Sequence, residues 1–242
     1  MDNDDVFSPV LGRRQILRSA GAFGLFGLGL GRLARAAPML ARDDADSDLD
    51  VGDLVDDAKF QAVCVLTPSQ TQGPYYLNLN LVRSDITEGL PGQATRLWVY
   101  VVRASDCAPL VNASVDVWHT DAIGRYSGIA QLGTAGLTFL RGIQFTDANG
   151  LAVFDTIYPG WYQGRTTHIH VKARPSGGAV LTSQMYFKQG LSNRVYSRSP
   201  YAAHGPTSTT NSMDGLFIPE TVMSVLGLTQ GVLNLELTIA VA

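Results

Sequence analysis

The sequence predicts an all-β fold, an antiparallel β-sandwich with long loops between some of its strands. From Cys64 onward, short apolar or alternating runs recur, each bounded by turn residues. Gly and Pro are plentiful, 25 and 11 of 242 residues, and no stretch holds a 3.6-residue period except a short one over 220–228. Hydrophobic residues make up 45% and charged ones only 16%, so the chain can fill a core, which excludes coiled coil and, over most of the length, disorder.

The chain divides into three pieces. Residues 1–36 hold five Arg against three Asp. Arg13-Arg14 precedes an apolar, Gly-rich stretch at 20–30, and Ala34-Arg35-Ala36 is a small-x-small cleavage pattern. This reads as a twin-arginine signal peptide that engages the Tat export machinery, since the apolar run is shorter than the ~20 residues of a transmembrane helix. An uncleaved anchor or a buried helix is the plainer alternative. The mature protein is then expected outside the cytoplasm, periplasmic or extracellular, without a stable membrane anchor. The C-terminal apolar stretch is broken by Gln230, Asn234 and Glu236 and offers no span.

Residues 37–57 read as an Asp-rich, solvated linker, with eight Asp and no base between 43 and 57. Asp46, Asp48 and Asp50 resemble a calcium loop only faintly, because the sixth position holds Val51 instead of Gly and the twelfth Asp57 instead of Glu. Residues 58–242 form the β domain. With 12 basic and 10 acidic side chains they are nearly neutral, and without a Lys/Arg-rich run they lack the footprint of a nucleic-acid binder.

Strands are expected over 96–103, 114–119, 151–155, 167–173, 181–187 and 233–241. The last places Leu233, Leu235, Leu237, Ile239 and Val241 on one face. Turn signals at Asp121-Ala-Ile-Gly124, Asp147-Ala-Asn-Gly150 and Pro175-Ser-Gly-Gly178 separate them, with long loops over 121–145 and 188–219. Cys64 and Cys107 are the only cysteines. In an oxidising compartment they are expected to form one disulfide, the alternative being two buried thiols.

Chemistry concentrates between Trp118 and Gln184. His168 and His170 flank Ile169 in a strand, so both imidazoles point to one face, where they can grip a metal. Two solvent-facing histidines would give the same pattern. Around them lie Tyr126 after the 115–119 strand, Tyr162 after Pro159-Gly160, Arg165 three residues before His168, and Gln184 on the next strand.

The sequence resembles the intradiol ring-cleavage dioxygenases, especially their small exported members. The matching segments are Cys64-Val-Leu-Thr-Pro-Ser-Gln-Thr-Gln-Gly-Pro-Tyr-Tyr76, the run at 115–128 containing Tyr126, Phe139-Leu-Arg-Gly142, Thr146-Asp-Ala-Asn-Gly150, and the run from Phe154 to Val171. The resemblance implies one non-haem ferric ion held by Tyr126, Tyr162, His168 and His170. It implies a catechol-type substrate whose ring is cleaved by O2 between the hydroxylated carbons to a cis,cis-muconate-type diacid. Tyr162 is expected to detach when substrate binds, Arg165 to stabilise charge developing on the substrate, and Gln184 to hydrogen-bond nearby. Gly73, Pro74, Tyr75 and Tyr76 are expected to wall the substrate pocket. The ligand set suits the metal: phenolates are hard anionic donors that favour Fe(III), and imidazole suits iron as well as zinc.

Other residues receive plainer readings. His119 and His204 match no ligand position and read as ordinary polar or capping residues. Trp98, Trp118 and Trp161 read as packing, and Asp121 and Asp147 as turn-forming. Similar strand and turn patterns occur in non-catalytic, transthyretin-like or carboxypeptidase-regulatory-like sandwiches, which do not require the two Tyr, two His and Arg together. The family's cytoplasmic catechol enzymes carry an additional N-terminal helical region. Only the Asp-rich segment precedes Cys64 here, and a monomer or small homo-oligomer is expected.

Overall fold

The computed structural model describes residues 49–56 and 64–242. The signal at 1–36, most of the linker and the start of the β domain lie outside the described residues. Among the described residues, eight strands form two four-stranded sheets. In chain order they are β1 (Ala94–Arg103), β2 (Ser114–Trp118), β3 (Arg141–Phe145), β4 (Leu151–Ile157), β5 (His168–Arg174), β6 (Leu181–Tyr186), β7 (Ser224–Thr229) and β8 (Val232–Val241), with one α-helix, α1 (Gln189–Tyr196). One sheet runs β4-β1-β8-β7 and the other β3-β2-β5-β6.

Period-two alternation decides which side chains enter the core. Leu97, Val99 and Val101 of β1 and Leu233, Leu235 and Ile239 of β8 meet Val115 and Val117 of β2 and Ile169 and Val171 of β5 between the sheets. The expected strands are present to within a few residues at their ends, and the expected face of β8 is the buried one. One pairing departs from an antiparallel sandwich: β1 and β8 run parallel, Thr95 opposite Leu233 through Arg103 opposite Val241. A parallel neighbour requires a long crossover, and nearly the whole domain separates these strands.

Three further corrections concern elements. β3 occupies the end of the expected 121–145 loop and α1 the start of the 188–219 loop. The 220–228 stretch, where a helical period was expected, forms a short 3-10 turn at Pro219–Thr221 followed by β7. The last part of the Asp-rich segment is also not free in solvent. Leu49 and Val51 join the hydrophobic core, Asp53 pairs with Arg194 at 2.6 Å, and Asp56 pairs with Lys188 at 2.5 Å while accepting the Val225 N–H at 2.8 Å. Two apolar residues and matching bases in and beside α1 anchor what charge density alone reads as a linker. Cys64 and Cys107 form the expected disulfide.

The outer face of β5 positions the candidate site. Ile169 and Val171 point into the core, so His168 and His170 point out of it, yet both are buried. The chain before β1 covers that face: Gln70 N–H donates to the Thr182 carbonyl of β6, and Arg83 N–H to the Ile143 carbonyl of β3.

Candidate metal centre

The two tyrosines come from loops that interlock. Asp121 shapes the first: one carboxylate oxygen accepts the N–H groups of Ile123 and Arg125 at 3.1 and 2.8 Å, and the other binds the Arg125 guanidinium. The second loop lies against it, with Gly160 N–H donating to the Asp121 carbonyl at 2.9 Å and Thr120 Oγ1 to the Gly160 carbonyl at 2.6 Å. Contact is close enough to demand glycine. A Cβ at Gly160 would meet the Ala122 backbone at 2.5 Å, and one at Gly124, where φ is +82°, would meet the Trp161 carbonyl oxygen at 2.1 Å. The clasp sets the Tyr126 and Tyr162 rings 5.8 Å apart.

His168 faces both. Its Nδ1 lies 2.7 Å from the Thr166 carbonyl, which only accepts, so the proton sits on Nδ1 and the Nε2 lone pair is free. That Nε2 is 3.2 Å from the Tyr162 hydroxyl and 3.5 Å from the Tyr126 hydroxyl. His170 is held by Trp118, its cross-strand neighbour, whose indole stacks on it at 4.9 Å with planes 2° apart. Its buried Nδ1 has no hydrogen-bond partner.

Burial pushes His168 down to about 3, and burial with the neighbouring His168 pushes His170 well below the usual imidazole range, so both are neutral donors. Burial also raises both phenols, Tyr126 furthest, so they ionise readily only with a cation between them. Among the described residues no three His, Cys, Asp or Glu gather to hold a metal. The anionic donors here are phenols. Two phenols, one buried and one half-buried, and two neutral imidazoles fit a hard, high-valent ion such as Fe(III) better than zinc.

Arg165 and Gln184 join this group. Arg165 Nη2 donates to Gln184 Oε1 at 2.5 Å and lies 3.4 Å from the Tyr186 hydroxyl, while its Nε donates to Asp214 at 2.9 Å. Gln184 and Tyr186 stand opposite His170 and His168 on β6. Burial pushes the Asp214 carboxyl up, but the N–H groups of Leu216 and Thr166 and the Arg165 guanidinium together hold it below the usual carboxylate range.

The 73–76 turn divides. Gly73 approaches His170, whose Cε1 would lie 3.4 Å from an added Cβ, and the Tyr75 ring stacks on Tyr126 at 4.8 Å. Pro74 is exposed. Tyr76 stands behind Trp118, their rings edge-on at 4.7 Å. Its hydroxyl donates to Asp116 at 2.8 Å and accepts from Arg174 at 2.7 Å, and Lys172 Nζ sits 3.8 Å above its ring. These charged groups on β2 and β5 hold the Tyr76 hydroxyl.

Sequence reasoning missed Asp214, Thr166 and Tyr186, and gave Trp118 only a packing role. It also left Arg141 without a function, although that residue lies in the Phe139-Leu-Arg-Gly142 motif. Arg141 is buried and fastens the Tyr126 loop by donating to Ser127 Oγ and the Ser127 carbonyl at 2.9 and 2.7 Å. His119 is structural as expected, bonded to the Thr120 carbonyl and the Thr156 hydroxyl, and His204 lies against Trp161. Asp147 caps its turn through the N–H groups of Asn149 and Leu151.

Comparison with known proteins places the chain in a family. A family model described as Dioxygenase matches residues 72–193, which include every residue of the donor set and its flanking groups except Asp214. A chlorocatechol 1,2-dioxygenase of Pseudomonas sp. (strain P51) is 33% identical over 165 residues, covering 55% of this chain and 60% of that enzyme. The corresponding enzyme of Pseudomonas putida is 29% identical over 139 residues, covering 49% of this chain and 53% of that enzyme. The match therefore spans little more than half of either curated relative. An intradiol ring-cleavage dioxygenase from Tetranychus urticae superposes with a TM-score of 0.69 at 30% identity, covering 74% of this chain and 95% of that one. The dioxygenase domain of a carbohydrate-binding fusion from Streptomyces sp. SirexAA-E gives 0.56 at 35% identity, covering 73% and 99%. With the motifs, the fold and half the chain under one family model in agreement, the chain belongs to the intradiol ring-cleavage dioxygenases.

Proposed function

We propose that this protein is a non-haem, Fe(III)-dependent dioxygenase that opens the ring of a catechol-type substrate between its two hydroxylated carbons, consuming O2 and yielding a cis,cis-muconate-type diacid. One observation carries the reading: the His168 Nε2 lone pair, fixed by the Thr166 carbonyl, converges with two phenol oxygens at 3.2 and 3.5 Å. Tyr126, Tyr162, His168 and His170 would hold the iron. Bound there, ferric iron would make the catecholate ring electron-rich enough to react with O2.

The remaining roles belong to the chain's own groups. Tyr126 is fully buried and Tyr162 less so, which makes Tyr162 the phenolate that can swing away and accept a proton from an incoming catechol hydroxyl. Arg165, steered by Asp214, Gln184 and Tyr186, offers positive charge where the ring oxygens become anionic. Tyr75 and Trp118 shield the site from water. A non-catalytic binding module would have no use for this convergence. Export to an oxidising compartment belongs to the same proposal, supported by Arg13-Arg14 and the Cys64–Cys107 disulfide.

The test is O2 uptake by Fe(III)-loaded protein over a panel of catechol, protocatechuate and hydroxyquinol. One O2 consumed per ring opened, with a diacid product, is expected for at least one of them. No uptake with any would overturn the proposal.

A further inference from the structure

We propose that Asp214 is a positioning residue for the reaction, holding Arg165 in place beside the metal-type ligands. The inference rests on the dioxygenase reading above. Asp214 lies 49 residues beyond Arg165, in the loop between α1 and β7 and outside the stretch matched by the family model. Its side chain is almost completely buried, and all its partners belong to the site or its frame. Oδ2 accepts from Arg165 Nε at 2.9 Å and from Thr166 N–H at 2.9 Å, and Oδ1 accepts from Leu216 N–H at 2.9 Å.

The geometry makes this carboxylate a clamp with two arms. Holding Nε leaves Nη2 as the guanidinium group directed at Gln184 Oε1 and the Tyr186 hydroxyl. Holding the Thr166 N–H steadies the peptide segment whose carbonyl fixes the His168 tautomer. The loop is locked in turn, because the Leu216 carbonyl accepts from the Tyr186 hydroxyl at 2.7 Å and from Gln70 Nε2 at 2.5 Å. An arginine side chain has several rotatable bonds, and a charged partner on one nitrogen removes most of that freedom before substrate arrives. Arg165 has no other ion-pair partner among the described residues.

The substitution Asp214→Asn keeps an acceptor for Thr166 N–H and removes the charge that fixes Arg165. In the iron-loaded full chain it is expected to lower kcat by about 10–100-fold, the range usual for partners of functional groups. Iron content and the visible spectrum should stay as in the unaltered protein, and anaerobic titration with catechol should give a Kd within about threefold of it. In an Arg165→Met background the same substitution should change kcat less than about threefold, because two residues acting through one another are not additive. Asp214→Glu, which keeps the charge, should recover part of the lost rate, and Asp214→Ser, which also removes the charge, replaces Asn throughout should the Asn variant not fold. An equal loss in both backgrounds, or an unchanged kcat in the single variant, would overturn the positioning role. Absence of O2 uptake by the unaltered iron-loaded protein would instead remove the dioxygenase reading, and this inference with it.

Discussion

At the scale of single residues, the site depends on positions that carry no chemistry. Gly124 and Gly160 let two loop backbones touch, and only then do Tyr126 and Tyr162 share a site with His168. A methyl group at Gly124 would collide with a carbonyl oxygen at a backbone angle that already disfavours any side chain. Gly124→Ala is therefore expected to destabilise the protein by about 2–4 kcal/mol and to reduce bound iron in parallel, read by urea unfolding and by iron analysis. Gly133→Ala is the control. Its φ of +69° is equally left-handed but nothing lies within 4 Å of the added carbon, so only the backbone strain of about 1–2 kcal/mol applies, and iron content holds. Equal effects of the two substitutions would mean that the loop clasp does not organise the ligands.

Secondary-structure elements show how a β-sandwich comes to carry a site on its outside. β5 sends Ile169 and Val171 inward and His168 and His170 outward, and the neighbouring strands deliver Trp118, Gln184 and Tyr186 to the same face. α1 braces the ligand segment from behind: the Tyr196 hydroxyl bonds Thr167 Oγ1 at 2.6 Å and donates to the Pro159 carbonyl at 3.0 Å. The docked acidic segment also contacts α1, through Asp53 on Arg194. Leu49→Ala is expected to lower stability by about 2–3 kcal/mol while leaving iron content and turnover unchanged, measured by urea unfolding of the full chain. An unchanged stability would return the segment to the status of a solvated linker.

Much of this level was legible in the sequence, for physical reasons. Strands β5 and β8 alternate cleanly, so their faces could be told apart, β1 shows as a run of β-forming residues, and the candidate ligands sit in dense local motifs. β3 was hidden because Gly142 interrupts a five-residue run that ends on exposed Phe145. α1 was hidden because its eight residues bury only Leu191, Val195 and Tyr196 as large side chains and carry Gly190 in the first turn. Two facts have no local signature at all. The parallel pairing of β1 with β8 is a long-range choice, and Asp214 meets Arg165 only after the chain has folded back from α1. Tyr76 shows the same limit, since its place in a motif next to Tyr75 says nothing of the Asp116 carboxylate that its hydroxyl meets.

For the molecule as a whole, stability and chemistry are kept apart. The apolar core fills the space between the sheets, the disulfide ties Cys64 to Cys107 across 43 residues, and the donor set occupies a separate polar layer between β5 and the chain that precedes β1. The disulfide adds about 3–4 kcal/mol in the chain-entropy account, fastening the covering segment without touching the ligands. The central claim is that two phenols and two imidazoles converge to hold ferric iron. The visible spectrum of the Fe(III)-loaded protein tests it most directly, because phenolate bound to ferric iron gives a charge-transfer band. The account predicts a broad visible band in the unaltered protein, changed by Tyr126→Phe and by Tyr162→Phe and abolished together with iron retention by His168→Ala. A colourless iron-loaded protein, or one spectrum shared by all these variants, would contradict it.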